Sequence, residues 1–327
     1  MTTAVKDLKV SVCVVTYNQE KYIRECLQSI LDQEVDFDYE VIVGDDCSTD
    51  GTRAIVQEFA NKYPEIVKPI FHEKNLGPTD NYLYVHNRAK GKYVSHLDGD
   101  DYCLPGKLRT LASFLDRNPD CRIVWHRMHI LNEHGQSAVG MPVVPIREFT
   151  GSNRLYAKDL AKYYGITGCH SGSMYRASAK KISVRNEPTI DYFFTLSFCI
   201  DGGYASYIDE PLGVYRWFSF ENTMTRSKGN LLVGLGKLSL IRSYLASNPE
   251  LAREFSAQCL FEFLLRLYFR QPLRWQYFKM LFKCRAFPSL SAFILIIKVF
   301  DSNRRKSLMR GYVDSSDVRF STQNNFK

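Results

Sequence analysis

The chain has 327 residues, of which 45% are hydrophobic, and these values exclude a globally disordered protein and allow one large domain or a domain with an appendage. Its nine cysteines include no CxxC pair, which argues against zinc and thioredoxin-like sites and favours reduced thiols in a cytosol. The net charge of +8 is uneven, because residues 266–310 carry 11 Lys and Arg against a single acid.

Strands and helices alternate through the first third of the chain. Short β-branched runs predict strands over 9–15, 39–45, 66–71 and 92–97. Helical spacing of apolar residues predicts helices over 20–33, 50–63 and about 79–89, and Pro105 is expected to open a further helix through Leu115. Later elements are a strand over 122–131, a glycine-rich segment over 165–176, a helix over 189–203, a strand over 204–209 and helices over 231–245 and 251–269. This alternation predicts an α/β fold, with a mostly parallel sheet flanked by helices.

Polar residues follow the predicted strands at the point where each strand ends. In sheets of this kind, ligands bind at the carboxyl ends of the strands. The residues at the first three ends include Thr16, Tyr17, Asn18, Asp46, Ser48 and Asn75. Their side chains suit a nucleotide, but for Asp46 and Ser48 the alternative is capping of the helix that follows, for which Asp50 is also placed.

An acidic turn, Asp98-Gly99-Asp100-Asp101, follows the fourth predicted strand. Residues i and i+2 of a strand face the same way, so Asp98 and Asp100 can present two carboxylates to one point, and Gly99 allows a tight turn between them. Such a pair suits Mg²⁺ or Mn²⁺, which keep one or two protein carboxylates and also take phosphate oxygens. The alternative is a solvated turn. Asp101 is expected to lie behind the pair or to cap the next helix.

Three segments together resemble the family 2 glycosyltransferases, which have the GT-A fold. These segments read VSVCVVTYNQEKYIRECLQSILDQ, YEVIVGDDCSTDGT and GKYVSHLDGDDYCLPGKL, and the likeness covers about residues 9–130. The resemblance implies transfer of a sugar from a nucleoside-diphosphate donor, with inversion at the anomeric carbon. It also implies that Thr16, Tyr17 and Asp46 hold the nucleoside, and that Asp98 and Asp100 form the D-x-D pair, with one near the ribose and one on the metal.

The chain departs from the family at the helix before the acidic strand. Family members commonly carry an Arg-Asn pair there, and Tyr82 and Leu83 occupy those positions. The base contact then falls to Asn75, Asp80 or Asn81. UDP is the first choice of nucleotide.

Asp191 is the predicted general base, because family members carry this acid at a helix start beyond the D-x-D strand. It lies in the first turn of the predicted helix 189–203, where a favourable interaction with the helix dipole is the alternative role. An inverting displacement needs its base on the opposite side of the anomeric carbon from the leaving group. Glu187 is the next candidate, ahead of Asp201, Asp209 and Glu210.

Two further residues could lie near the acceptor or the phosphates. His170 stands in the glycine-rich segment, where it either lines the path of the acceptor or packs as an ordinary buried side chain. Arg216, in the sequence VYRWF, could contact phosphate or form an ion pair. VYRWF is not the Q-x-x-R-W motif of processive polymerases, which favours addition of one sugar at each encounter.

The expected organisation is a GT-A catalytic domain over 1–225, with a nucleotide-binding half (1–104) and an acceptor-binding half (105–225). A basic helical extension (226–310) and a flexible tail (311–327) follow. The basic, aromatic-rich segment 266–310 is predicted to contact an anionic membrane, with packing on the catalytic domain as the alternative. RNA is the competing partner for such charge, but no recognition module is seen, so no nucleic-acid partner is predicted.

The leading hypothesis is an inverting glycosyltransferase that uses Mn²⁺ or Mg²⁺ and a UDP-sugar. Its acceptor would be a saccharide or an undecaprenyl-linked saccharide destined for a surface polysaccharide. We predict neither a signal peptide nor a spanning helix, and therefore a cytoplasmic protein on the inner face of the cytoplasmic membrane. The alternative is a non-catalytic scaffold that binds nucleotide sugars or membrane. A NAD-binding enzyme is excluded because no GxGxxG follows the first strand.

Overall fold

The computed structural model describes residues 7–132, 137–140, 151–162, 167–180, 190–217, 227–290 and 292–293. The strands are β1 (Val10–Thr16), β2 (Tyr39–Asp45), β3 (Val67–Phe71), β4 (Tyr93–Asp98), β5 (Tyr102–Cys103), β6 (Cys121–Asn132), β7 (Ser137–Gly140), β8 (Arg154–Leu155), β9 (Ser173–Arg176) and β10 (Tyr204–Trp217). The helices are α1 (Ile23–Leu31), α2 (Thr52–Lys62), α3 (Pro78–His86), α4 (Lys107–Arg117), α5 (Ala157–Lys162), α6 (Ile190–Cys199), α7 (Ser227–Ser247), α8 (Ala252–Tyr268) and α9 (Arg274–Lys283).

One mixed sheet runs through the described part of the catalytic region, in the order β3-β2-β1-β4-β9-β6-β10-β5. The first four of these strands are parallel to one another, as the alternation of strands and helices predicts. The short strand β9 then pairs antiparallel with both β4 and β6, and β6 pairs parallel with β10. Because β9 comes from the glycine-rich segment, this pairing brings a distant stretch of chain beside the acidic turn.

Two hydrophobic layers hold the sheet between its helices. On one face, α1 buries Ile23, Cys26, Leu27 and Ile30 at its helical spacing against the valines of β1. The other face joins Val85 of α3 to a cluster that continues into the C-terminal helices. The parallel strands, covered on both sides, accordingly read as nearly continuous apolar runs.

The C-terminal helices α7, α8 and α9 share this second cluster with α5 and α6. Within them lies a buried ionic group, in which Glu262 accepts from Lys237 Nζ at 3.0 Å and from Arg266 Nε at 3.0 Å. Tyr277 is also fully buried, and its hydroxyl donates to the Gly234 carbonyl at 2.9 Å. Part of the basic segment 266–310 therefore packs into the helical core.

The short strands β5, β7 and β8 and the helix α5 were not predicted from the sequence, and several predicted elements differ at their ends. Helix α4 begins at Lys107, and Gly106 before it has a φ of 86°, so Pro105 lies outside the helix. Asp50, rather than Ser48, meets the start of α2, through a bond from the Thr52 amide to Oδ1 at 3.0 Å. Strand β10 extends to Trp217, well past the predicted end at 209, and crosses two register shifts to do so. Among the described residues, no helix is both long and apolar enough to cross a bilayer.

Candidate active site

The carboxyl ends of β1, β2 and β4 meet at one edge of the sheet. In the parallel register, Thr16 lies opposite Asp45, and Val15 lies opposite Asp98. The structure thus brings together the polar ends of three strands that the sequence placed separately along the chain. This edge is where ligands bind in sheets of this type.

The acidic turn packs tightly against the end of β1. A Cβ built on Gly99 would lie 2.8 Å from the Thr16 Cβ and 2.5 Å from Gln19 Oε1, so no larger residue fits without movement. Thr16 Oγ1 donates to Gln19 Oε1 at 2.8 Å, and the Gln19 side chain also hydrogen-bonds Asp100. Thr16 therefore lies beneath the turn and helps to fix it.

Both carboxylate oxygens of Asp98 are held by neighbouring side chains. Oδ1 lies 3.1 Å from His96 Nε2, and Oδ2 accepts from the Ser171 hydroxyl at 3.0 Å. Burial acts to raise the pKa of Asp98, but the positive potential of His96 and His170 and the Ser171 hydrogen bond outweigh it and hold the pKa below its ordinary value. Asp98 is therefore a carboxylate at neutral pH, and its side chain remains 37% exposed.

The pKa values of Asp100 and Asp101 are raised, whereas that of Asp98 is lowered. Burial and the charge of Asp98 raise the pKa of Asp100 to about 6. Burial, followed by Asp100 and Asp98, raises the pKa of Asp101 further. Asp101 is fully buried; its Oδ1 accepts from the Arg216 amide at 2.9 Å, and its Oδ2 has no hydrogen-bond partner among the described residues. Asp101 lies behind the pair, and it does not cap α4.

The acidic turn is suited to a divalent cation. Two neighbouring carboxylates raise the pKa of one of them, and a cation between them would relieve that repulsion. Among the residues that the structure describes, no group of three or more His, Cys, Asp or Glu side chains is arranged to hold a metal. A cation here would thus keep two protein carboxylates at most and would take its other ligands from phosphate and water, as Mg²⁺ commonly does.

Arg216, near the end of β10, contacts the backbone of the acidic turn. Its guanidinium donates to the Asp100 carbonyl and pairs with Glu25 of α1, and it lies 4.8 Å from the centre of the Tyr102 ring. It is only 7% exposed. The structure therefore gives Arg216 an ion pair, as one of the sequence alternatives proposed, and a place behind Asp100.

The residues predicted for the nucleotide lie at the ends of β1 and β2 and in the loop after β3. Asn18 accepts from the Thr49 amide at 2.8 Å, and Tyr17 is 46% exposed. The Asp46 carboxylate accepts from the backbone amides of Leu76 and Gly77, at 2.7 Å and 2.9 Å. In this structure, Asp46 therefore holds the loop that follows β3, and Asn75 Nδ2 adds a bond to the Asp46 carbonyl at 3.1 Å.

The helix after this loop lacks the family's Arg-Asn pair and replaces it with packed aromatic residues. The Tyr82 ring lies against the rings of His86 and His170, with centroid distances of 3.7 Å and 4.8 Å. Asn81 is buried and engaged by the Gly44 carbonyl and His72, so of the alternative base contacts only Asn75 and Asp80 remain at the surface.

Asp191 is the second residue of α6, at the helix start predicted for the base. Its side chain and the whole of Glu187 lie outside the described residues. Asp209, another candidate, pairs with Arg127 on β6. Asp201 and Glu210 are exposed at the protein surface.

Four site residues were missed in the sequence: Gln19, His86, His96 and Ser171. His96 could have been found, because it lies two positions before Asp98 and therefore shares its face of the strand. His86 and Ser171 reach the site from α3 and from the turn before β9, so strand periodicity gives no signal for them. His170, the neighbour of Ser171, stacks on His96 at 4.0 Å, which is the packed role of its two alternatives.

Comparison with known proteins identifies the family. The sequence profile of glycosyl transferase family 2 matches residues 11–182, which is more than half of the chain. The chain belongs to glycosyl transferase family 2. The matched range contains the acidic turn, the residues predicted for the nucleotide (Thr16, Tyr17, Asn18, Asp46 and Asn75) and the turn that supplies Ser171.

Curated relatives match this chain over about two thirds of its length. An uncharacterised protein of Mycobacterium tuberculosis is 31% identical over 208 residues, which are 63% of this chain and 58% of the relative. The putative teichuronic acid biosynthesis glycosyltransferase TuaG of Bacillus subtilis is 30% identical, over 63% of this chain and 78% of its own. The chain thus matches less than two thirds of the length of the mycobacterial relative.

Solved structures confirm the GT-A fold. Residues 1–349 of TarS from Staphylococcus aureus superpose with a TM-score of 0.57 at 25% identity, covering 76% of this chain and 70% of that one. A mannosyltransferase from Pyrobaculum calidifontis, solved with GDP-Man and Mn²⁺, superposes with a TM-score of 0.54 at 15% identity, over 96% of this chain and 79% of that one. The predicted α/β architecture is therefore correct.

Proposed function

We propose that the protein is an inverting, metal-dependent glycosyltransferase that uses a nucleoside-diphosphate sugar, with UDP as the nucleotide. The observation that carries the proposal is that the parallel register of β1, β2 and β4 brings the Asp98–Asp100 turn beside the polar ends of β1 and β2. TarS, a poly(ribitol-phosphate) β-N-acetylglucosaminyltransferase, has been solved with UDP-GlcNAc and with UDP, and this supports the choice of nucleotide.

In the proposed mechanism, Asp98 and Asp100 would hold Mn²⁺ or Mg²⁺, and the cation would supply Lewis-acid stabilisation of the departing nucleotide. Thr16 fixes the acidic turn, while Tyr17, Asn18 and Asn75 border the nucleoside, and Asp46 holds the loop that carries Asn75.

Asp191 is the proposed general base, which removes the proton of the acceptor hydroxyl as that oxygen attacks the anomeric carbon. The helix start on which it lies belongs to α6, a different segment from the D-x-D turn, and an inverting displacement needs this separation. Its carboxylate would act from the side opposite the leaving group.

We further propose that residues 1–225 form the catalytic unit and that its acceptor is a saccharide or a lipid-linked saccharide of a surface polysaccharide. The biosynthetic role in the name of TuaG supports this acceptor class. A membrane-facing extension would bring the enzyme to a lipid-linked acceptor.

The extension has a surface suited to an anionic membrane. Trp275 and Phe282 are 54% and 60% exposed, and Phe287, just beyond α9, is 80% exposed. Lys279 lies four positions after Trp275 and three before Phe282, on the same side of α9. No acidic residue occurs between 266 and 300, so nothing along that stretch opposes attraction to anionic headgroups.

Binding and hydrolysis of sugar nucleotides test the catalytic proposal. UDP-, GDP- and TDP-sugars should be screened by thermal shift with and without Mn²⁺, because a ligand of the folded state raises its melting temperature. We expect a UDP-sugar to raise the melting temperature only when Mn²⁺ is present. Asp100→Ala should abolish this shift, whereas Asp191→Ala should keep the shift and lose transfer and hydrolysis.

Asp209→Ala is the matched control for the base, since Asp209 is exposed and pairs with Arg127. It should behave as the parent. If Asp191→Ala also matched the parent in hydrolysis, the assignment of the base would be wrong. A parent protein that binds sugar nucleotides but never turns them over would instead favour the non-catalytic scaffold.

Vesicle co-sedimentation tests the membrane surface. The protein should sediment with vesicles containing phosphatidylglycerol and not with phosphatidylcholine alone, and Trp275→Ser with Phe282→Ser should release it. Leu232→Ser is the control, because Leu232 is also 54% exposed but lies on α7. Equal sedimentation of the parent and the double variant would contradict this proposal.

A further inference from the structure

A buried line of hydrogen bonds leads from Tyr175 to Asp98. The Tyr175 hydroxyl lies 2.8 Å from His86 Nδ1, His86 Nε2 lies 2.9 Å from His96 Nδ1, and His96 Nε2 lies 3.1 Å from Asp98 Oδ1. These residues come from β9, α3 and β4, so three separate elements converge on one carboxylate.

Stacked rings fix the planes of both imidazoles. Tyr82 lies over His86 with a centroid distance of 3.7 Å, and His170 lies over His96 at 4.0 Å. His86 and His96 are fully buried. Neither ring can therefore turn toward water, and each nitrogen must be satisfied within the line.

The carboxylate sets the direction of the bond nearest to it. An ionised carboxylate only accepts, so His96 Nε2 carries a proton and donates a hydrogen bond to Asp98 Oδ1. The imidazole nitrogens and the Tyr175 hydroxyl can each donate or accept, so the two remaining bonds complete the line behind His96.

We propose that Tyr175, His86 and His96 are positioning residues, whose buried line of hydrogen bonds fixes the Asp98 carboxylate for ligand binding. Ser171 holds Oδ2 while the line holds Oδ1, so the orientation of the carboxyl plane is set from both sides. The inference rests on the proposed role of Asp98 toward metal and nucleotide, and it adds residues that contact neither of them.

Calorimetry with MnCl₂ and UDP tests the positioning role. Tyr175→Phe removes only the terminal donor and should weaken Mn²⁺-dependent UDP binding by about tenfold, the scale of outer hydrogen-bond partners at metal sites. Tyr277→Phe is the matched control, because it deletes another buried hydroxyl, bonded to the Gly234 carbonyl, far along the chain. The control should bind as the parent does.

Rescue by a conservative variant separates positioning from packing. His96→Leu should lose about 10–100-fold in affinity, whereas His96→Gln, which keeps a donor near the position of Nε2, should recover part of that loss. Equal losses for the two variants, or an unchanged affinity in Tyr175→Phe, would refute the positioning role.

These outcomes are distinct from a failure of the proposed function. If Asp98→Asn bound Mn²⁺ and UDP as tightly as the parent, the function proposed for the acidic turn would fail, and positioning by the histidines with it. If Asp98→Asn lost binding while Tyr175→Phe kept it, only the positioning role would fail.

Discussion

Neutralising Asp100 is expected to stabilise the protein without ligand while destroying its metal site. The pKa of Asp100 is about 6, against 3.8 for a free aspartate, because burial and Asp98 oppose its charge. At about 1.4 kcal/mol for each pH unit, this difference corresponds to about 3 kcal/mol, and screening by water at this partly open turn reduces it to about 1–2 kcal/mol. Asp100→Asn removes that penalty and keeps the shape of the side chain.

The dependence on pH has a definite sign. A carboxyl group whose pKa is raised on folding binds its proton more tightly in the folded state, so the free energy of unfolding falls as the pH rises from about 4 to 6. The stability gained by Asp100→Asn should therefore be complete above pH 6 and should disappear near pH 4. In EDTA at pH 7.5, the variant should melt about 2–4 °C above the parent.

With Mn²⁺ and UDP added, the parent should melt at a higher temperature than Asp100→Asn. Ligand at one hundred times its dissociation constant stabilises the parent by about 2.7 kcal/mol, and the variant should lose that gain. Asp116→Asn is the control: burial acts to raise the pKa of Asp116, but hydrogen bonds from Lys9 and Lys92 outweigh it and lower the pKa. That variant should melt below the parent in EDTA and keep its response to Mn²⁺ and UDP. If Asp100→Asn melts below the parent in EDTA at pH 7.5, the electrostatic reasoning is wrong.

Three further substitutions test one contact of the acidic turn and two features that stabilise the fold. Arg216→Ala, which frees the Asp100 carbonyl, should weaken Mn²⁺-dependent UDP binding about tenfold in calorimetry; unchanged affinity would remove Arg216 from the site. Glu262→Ala leaves Arg266 buried without its partner and should lower the free energy of unfolding in urea by about 3–5 kcal/mol, and a loss below about 1 kcal/mol would contradict that. Gly91→Ala should destabilise the fold by about 3 kcal/mol in the same assay, since its Cβ would meet backbone atoms at 2.5–2.9 Å; a normal melt would show that the strands can shift.

The sequence predicted the part of the site that lies at strand ends, because strand periodicity and chain order are local properties. Asp98 ends β4, with Asp100 just beyond it, and Thr16 ends β1, so a parallel sheet is enough to bring them together. Arg216 was assigned less well, since its position behind Asp100 depends on β10 pairing with β5, more than 100 residues earlier in the chain. Ser171 depends in the same way on the insertion of β9 between β4 and β6.

Asp46 shows a different limit of sequence reasoning. Its place at the end of β2 indicated a nucleotide contact, and the structure shows its carboxylate on the amides of Leu76 and Gly77. A carboxylate has lone pairs for more partners than these two, so the predicted role toward the nucleoside stays a prediction. What the sequence could not supply is the path of the loop after β3, which brings those amides to Asp46.

The three acids of the turn are separated by their surroundings rather than by their chemistry. The charge and hydrogen bond of His96, with the hydrogen bond of Ser171, lower the pKa of Asp98, burial raises the pKa of Asp101 well above its ordinary value, and the pKa of Asp100 lies between these two. Identical side chains whose pKa values are driven apart can take different roles. Asp98 then supplies a permanent charge, Asp101 supports the backbone of β10, and Asp100 is the group whose charge a bound cation would stabilise most. The fold holds Asp98 and Asp100 close together, and their repulsion lowers the free energy of unfolding of the protein without ligand. A bound cation would remove this repulsion, so the same geometry favours cation binding.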